Sequence, residues 1–125
     1  MAPYSFSLDV DVARNVIYIR QQGAAEPEDL ERLRAQFEAA VAQMSTGFSI
    51  VNDQRFLEPL SDRAFEVAKE LVKITNSSSV GRVIRVLPVS VLSKTRLVRA
   101  LVQARDAYRN IDVTSLEEAE RELLR

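Results

Sequence analysis

The sequence contains no cysteine and no histidine. The first absence excludes disulfides, thiol nucleophiles and thiolate metal sites. The second removes the commonest general base and the commonest metal ligand, and with them every Ser-His and Cys-His mechanism. A chain without disulfides fits a reducing compartment. Long apolar runs are missing too, and none approaches the roughly 20 residues of a membrane span. Residues 1–10, MAPYSFSLDV, lack a basic segment followed by an apolar run, so no signal peptide is expected and the expected location is the cytoplasm. Neither sign of charge dominates. The net charge of −1 gives no bulk attraction to nucleic acid or to a membrane surface.

What is present is ordinary for a globular protein: 125 residues, 46% apolar and 28% charged. That length suits one domain, residues 1–125, with a core that needs no metal or disulfide.

Periodicity divides the chain into alternating elements. In residues 4–12, Tyr4, Phe6, Leu8, Val10 and Val12 alternate with polar residues, the pattern of a half-buried strand. A turn at Ala13, Arg14 and Asn15 leads to a second strand, residues 16–20, so the two predict an antiparallel hairpin. After Gly23, Pro27 suits a first helical position, and Leu30, Leu33, Phe37, Val41 and Met44 recur at helical spacing, with Gly47 as the expected C-terminal cap. Residues 48–53 read as a strand covered on both faces. Ser61 caps a second helix whose expected inner face holds Phe65, Ala68, Leu71 and Val72. A polar loop, residues 76–81, precedes a fourth strand, 82–87, stopped by Pro88. A third helix is predicted from Ser90 or Ser93 to Tyr108, with Leu97, Leu101, Ala104 and Tyr108 inward. A short strand, 111–113, is followed by a fourth helix. Its predicted capping box joins Thr114 to Glu117, and its expected inner face is Leu116, Ala119, Leu123 and Leu124. The order ββαβαβαβα predicts an α/β sandwich: a mixed, mostly parallel sheet of about five strands with four helices.

This order resembles the STAS fold, the SpoIIAA-like domains related to anti-sigma-factor antagonists. Three stretches carry the resemblance: LDVDVARNVIYIRQQG, similar to the opening hairpin; FSIVNDQR, similar to the central strand that ends in Asp; and IDVTSLEEAERELL, similar to the last strand and helix. Antagonist members place a phosphorylatable Ser or Thr directly after that Asp. Here Asp53 is followed by Gln54, Arg55 and Phe56, and the nearest downstream hydroxyl is Ser61. The resemblance therefore implies the branch without the phosphorylatable residue, a STAS-like interaction or regulatory module. A receiver domain also ends a central strand in Asp. It needs an acidic cluster for Mg²⁺ after its first parallel strand, where this chain has Gln21 and Gln22.

In open α/β sheets ligands sit beyond the carboxyl ends of the strands. The candidate binding residues are therefore Asn52, Asp53, Arg55, Phe56 and Ser61, on a loop expected to follow Asp53. Asp53 equally suits a loop-capping role, and Ser61 a plain N-cap. The partners expected are another protein or a second copy of the chain, as a homodimer, with no nucleic acid and no membrane span. Two other readings remain at this point. One is a site for a small apolar or anionic ligand lined by Phe56 and Phe65. The other is an enzyme using Asp53, Glu58 and Asp62. No cofactor, catalytic residue or metal ligand is predicted. Charge is uneven along the chain: residues 82–109 carry a net +6 and residues 1–62 a net −5, which points to an anionic partner, to complementary subunit contacts or simply to a solvated surface.

Overall fold

Strand β1 (Ser5–Asp11) pairs antiparallel with β2 (Val16–Gly23), with Leu8 opposite Ile19. The hairpin turn is fixed by side chains. The Asp11 carboxylate accepts the Arg14 N–H at 3.1 Å, and Asn15 takes the left-handed conformation (φ 59°) that Asn tolerates. This local bonding ends β1 at Asp11. Val12, expected to continue the inward stripe, is drawn into the turn and exposed. The computed structural model describes residues 2–91 and 108–125.

From β2 onward the sheet is parallel. Helix α1 (Pro27–Val41), β3 (Ser49–Leu57), α2 (Asp62–Ser77), β4 (Arg82–Val86), β5 (Arg109–Val113) and α3 (Leu116–Leu123) follow, and the strands lie in the order β1-β2-β3-β4-β5. Right-handed crossovers that always step to the next strand put their helices on one face. Accordingly, α1 and α2 pack together on one side of the sheet, and α3 packs on β3, β4 and β5 from the other. The predicted third helix, with Leu97, Leu101 and Ala104, lies outside the described residues. Residues 89–91 are helical, and Tyr108 packs against the core beside α1 and α2.

The sheet divides the core in two by the alternation of its strands. Ile17, Ile19, Ile50 and Val83 face α1 and α2, together with Leu30, Leu33, Phe37 and Ala64. Val16, Val51, Ile84, Val86 and Val113 face α3 and its Ala119. Helix α1 begins with a capping box between Glu26 and Asp29 and has Pro27 in its first turn. It ends at Val41, short of the expected cap. Gly47, at φ 81°, instead forms a separate turn whose backbone packs closely on Gly81. Gly23 is constrained twice. Its φ is 83°, and a Cβ there would lie 2.2 Å from the Pro3 carbonyl oxygen.

Four helix-face expectations and one cap need correction. In α2 the completely buried residue is Ala64, a small side chain that lets the helix approach the sheet. This turns Phe65 and Val72 outward, and Ala68, Leu71 and Ile74 complete the inner face. In α3 the cap is Ser115, whose Oγ accepts the Glu118 N–H at 3.1 Å. Thr114 instead donates its hydroxyl to the Glu118 carboxylate, so the predicted box is displaced by one residue; Leu116, expected inward, is exposed in the first turn, and Leu124 falls outside the helix, exposed. The basic segment is also partly used internally. Arg82 donates to the Glu122 and Leu123 carbonyls at 2.6 and 2.8 Å, closing the C-terminal end of α3. Arg14 and Tyr18 both hold Glu120 at 2.9 Å and so tie α3 to the hairpin.

Candidate functional site

Strand β3 does not end at Asp53, where the sequence suggested a loop. It continues to Leu57, pairing Phe56 with Gln22 and Leu57 with Gly23. Between Arg20 and Gln22 the register shifts, so that Gln54 and Arg55 oppose the single residue Gln21, which is a β-bulge. Asp53 supports the bulge: its Oδ1 accepts the Arg55 backbone N–H at 3.2 Å and the Arg55 Nε–H at 3.0 Å. Its Oδ2 accepts from Arg55 Nη2 at 2.9 Å and from Arg20 Nε at 3.4 Å. The carboxylate is thus held by two arginines and is 2% exposed.

Burial pushes the Asp53 carboxyl up, but the side-chain and backbone hydrogen bonds from Arg55, its charge and the Arg20 contact outweigh that, so its pKa lies below the ordinary value. A carboxyl depressed in the folded state stabilises the fold above its unfolded pKa of about 3.9, and that contribution is lost as pH falls through the lower folded value. Wild type should therefore lose stability through this acid window more steeply than Asp53→Asn. Urea unfolding at stepped pH measures the difference, and parallel curves would refute the assignment.

The five candidate residues do not share a surface. Successive residues of a strand point to opposite faces. Asn52 therefore faces α1 and α2, whereas Asp53 faces the other side, beside Ser7, Asp9, Tyr18 and Leu116. Phe56 stands exposed near the end of β3, with the Arg55 guanidinium 5.2 Å from its ring centre. Ser61 is the N-cap of α2, accepting the Ala64 N–H at 3.2 Å.

A polar row that the sequence reading missed crosses the sheet on the α1/α2 side. The Tyr4 hydroxyl donates to Gln21 Oε1 at 2.8 Å, and Gln21 Nε2 donates to Asn52 Oδ1 at 3.0 Å. Asn52 is the register partner of Arg85, and Arg85 of Asp112. The Arg85 Nε–H reaches Asp112 Oδ1 at 3.2 Å. Gln21, Asn52 and Arg85 form part of the floor of a groove of about 270 Å³. Its other wall is apolar: Leu57 and Leu60 before α2, then Phe65, Leu71 and Val72 on it. The signal for this row was present in the alternation, because Gln21 is in phase with Ile17 and Ile19, and Arg85 with Val83. Among the described residues no group of three acidic side chains is placed to hold a metal ion.

A solved structure decides the architecture. An uncharacterised protein of the DUF3478 family from Shewanella loihica PV-4, described as having a SpoIIAA-like fold, aligns with a TM-score of 0.77 over 98% of this chain and 97% of that one, at 16% identity. The fold is SpoIIAA-like. The phosphorylated form of the Bacillus cell fate determinant SpoIIAA aligns over 94% of this chain and 98% of that one, with a TM-score of 0.53 and 23% identity. No protein-family profile and no curated protein matches the sequence. On this SpoIIAA-like frame the bulge residue after Asp53 is Gln54, which has no hydroxyl to modify.

Proposed function

We propose that the chain is a non-enzymatic regulatory module that binds another protein, or a second copy of itself, where β3 ends and α2 begins. The observation that carries this reading is a second apolar stripe on α2. Phe65 and Val72 lie seven residues apart on one side of the helix and are 53% and 51% exposed, with Lys69 between them over the Phe65 ring. Phe56, 60% exposed, adds an aromatic group at the strand end. Large exposed apolar side chains backed by cations are the usual anchors of a protein interface. The SpoIIAA-like fold supports a regulatory role, since one neighbour is a cell fate determinant. No helix among the described residues is long and apolar enough to cross a membrane.

The test pairs wild type with Phe65→Ser/Val72→Ser. Both positions are exposed, so thermal stability should change little. Self-association by sedimentation, and affinity for a partner first identified by crosslinking and then purified, should both be measured. Loss of about tenfold or more in one of them is expected, the scale of a removed interface anchor. An unchanged affinity in both would remove α2 from the interface.

A further inference from the structure

We infer that the groove between the sheet and α2 is a binding site for a small uncharged amphiphile, an apolar body carrying one hydrogen-bond acceptor. The protein-binding stripe described above faces outward, and the present site lies beneath it. It shares Phe65 and Val72 with that stripe but is argued from the polar floor of Gln21, Asn52 and Arg85, so it does not depend on that reading.

Three observations define the ligand. The first is shape. A dry cavity of about 150 Å³ holds benzene, so about 270 Å³ accommodates roughly eleven heavy atoms. Leu57, Leu60, Phe65, Leu71 and Val72 give the space an apolar wall that suits a hydrocarbon body.

The second is a directed donor. The Tyr4 hydroxyl donates to Gln21 Oε1, and Gln21 Nε2 donates to Asn52 Oδ1, which fixes the order of donors and acceptors along the row. Asn52 Nδ2 is left without a hydrogen-bond partner among the described residues, on a side chain that lines the groove. A donor at the floor of an apolar cleft selects a ligand that brings an acceptor, because an apolar ligand would cover the amide and leave it unsatisfied.

The third is charge. Arg85 is the one charged side chain among the described residues that line the groove, and it is already matched by Asp112, whose side chain is 5% exposed. Arg85 is therefore not an uncommitted cation. A ligand carboxylate would place a second anion beside Asp112 in a low-dielectric cleft, and a ligand cation would meet Arg85. Both pay a desolvation cost that no described groove residue compensates. An uncharged carbonyl or hydroxyl meets Asn52 without that cost.

The probes are 2-decanone, which has the required size and a single acceptor, and decanoate, of nearly the same size but charged. Each is titrated into the full chain below its aggregation limit, with binding read by calorimetry and by the side-chain amide resonances of Asn52. The expected result is saturable 1:1 binding of 2-decanone, a shift of the Asn52 amide signals, and decanoate weaker by about tenfold or more. Val72→Trp places a large ring at an exposed position on the groove wall and should weaken 2-decanone about tenfold at unchanged thermal stability. Equal or tighter binding of decanoate, a titration without saturation, an unmoved Asn52 amide, or full affinity in Val72→Trp would each overturn the assignment. The partner-binding test uses no ligand, so the two readings fail separately.

Discussion

Phe48→Ala is expected to cost about 3–5 kcal/mol of folding free energy, the range for truncating a buried aromatic side chain. Phe48 is 1% exposed and is the largest of the fully buried side chains among the described residues. It stands immediately before β3, in the cluster shared by α1, α2 and the sheet, and its carbonyl accepts the Gly81 N–H at 2.8 Å. Its neighbours belong to regular elements locked by sheet pairing, so they can move into the void only in part. Native stabilities of about 5–15 kcal/mol make such a loss a large fraction of the total. Urea unfolding should show a lowered midpoint with an unchanged slope, because the surface exposed on unfolding hardly changes. A loss under about 1.5 kcal/mol would mean that the site collapses freely, and Phe48 would cease to be a keystone of that layer.

The second large effect is electrostatic. Asp112→Ala should cost about 2–4 kcal/mol, because it removes the Asp112 carboxylate from the mostly buried Arg85 guanidinium. The Arg85 side chain keeps 22% of its exposure, which places the expected cost below that of a fully enclosed charge. The informative companion is the double variant Arg85→Met/Asp112→Leu, which replaces the pair with apolar groups. If the single change is costly because Arg85 keeps its buried charge and loses the Asp112 contact, the double variant should recover to within about 1 kcal/mol of wild type. Chemical denaturation of wild type and the two variants makes the comparison. A double variant worse than Asp112→Ala would show instead that the pair itself contributes net stability through its position in the polar row.

Much of the scaffold was legible from period alone. The alternation of residues 4–12, the helical recurrence from Leu30 to Val41 and the apolar core of β3 all correspond to observed elements. The boundaries were less legible because single side chains set them. The Asp11 carboxylate closes the hairpin turn, Ser115 rather than Thr114 caps α3, and the Asp53 carboxylate carries β3 through a bulge that the sequence suggested was a loop. Each choice is between neighbours with similar propensities, and three-dimensional context decides it.

The site was less legible than the fold, for a geometric reason. Asn52 and Asp53 are adjacent in sequence and were grouped together, yet adjacent strand residues are separated by the thickness of the sheet. Conversely, Gln21, Asn52 and Arg85 are far apart in sequence and meet because parallel register aligns β2, β3 and β4. Alternation shows that each points inward. Which of them meet depends on register, and register depends on turns and bulges. Phe65 misled in a similar way. Its helical spacing placed it near the inner face, but the close approach allowed by Ala64 turned it outward.

The strand order β1-β2-β3-β4-β5 also bears on how the chain is made. Every strand pairs with the one synthesised just before it, so the sheet can grow from the hairpin as the polypeptide leaves the ribosome, N-terminal elements first. No strand waits for a distant partner, and no completed edge has to reopen to admit a later strand. At each stage the growing edge belongs to the newest strand, so β2, β3 and β4 are each open only until the next strand pairs, while β1 keeps its outer edge throughout.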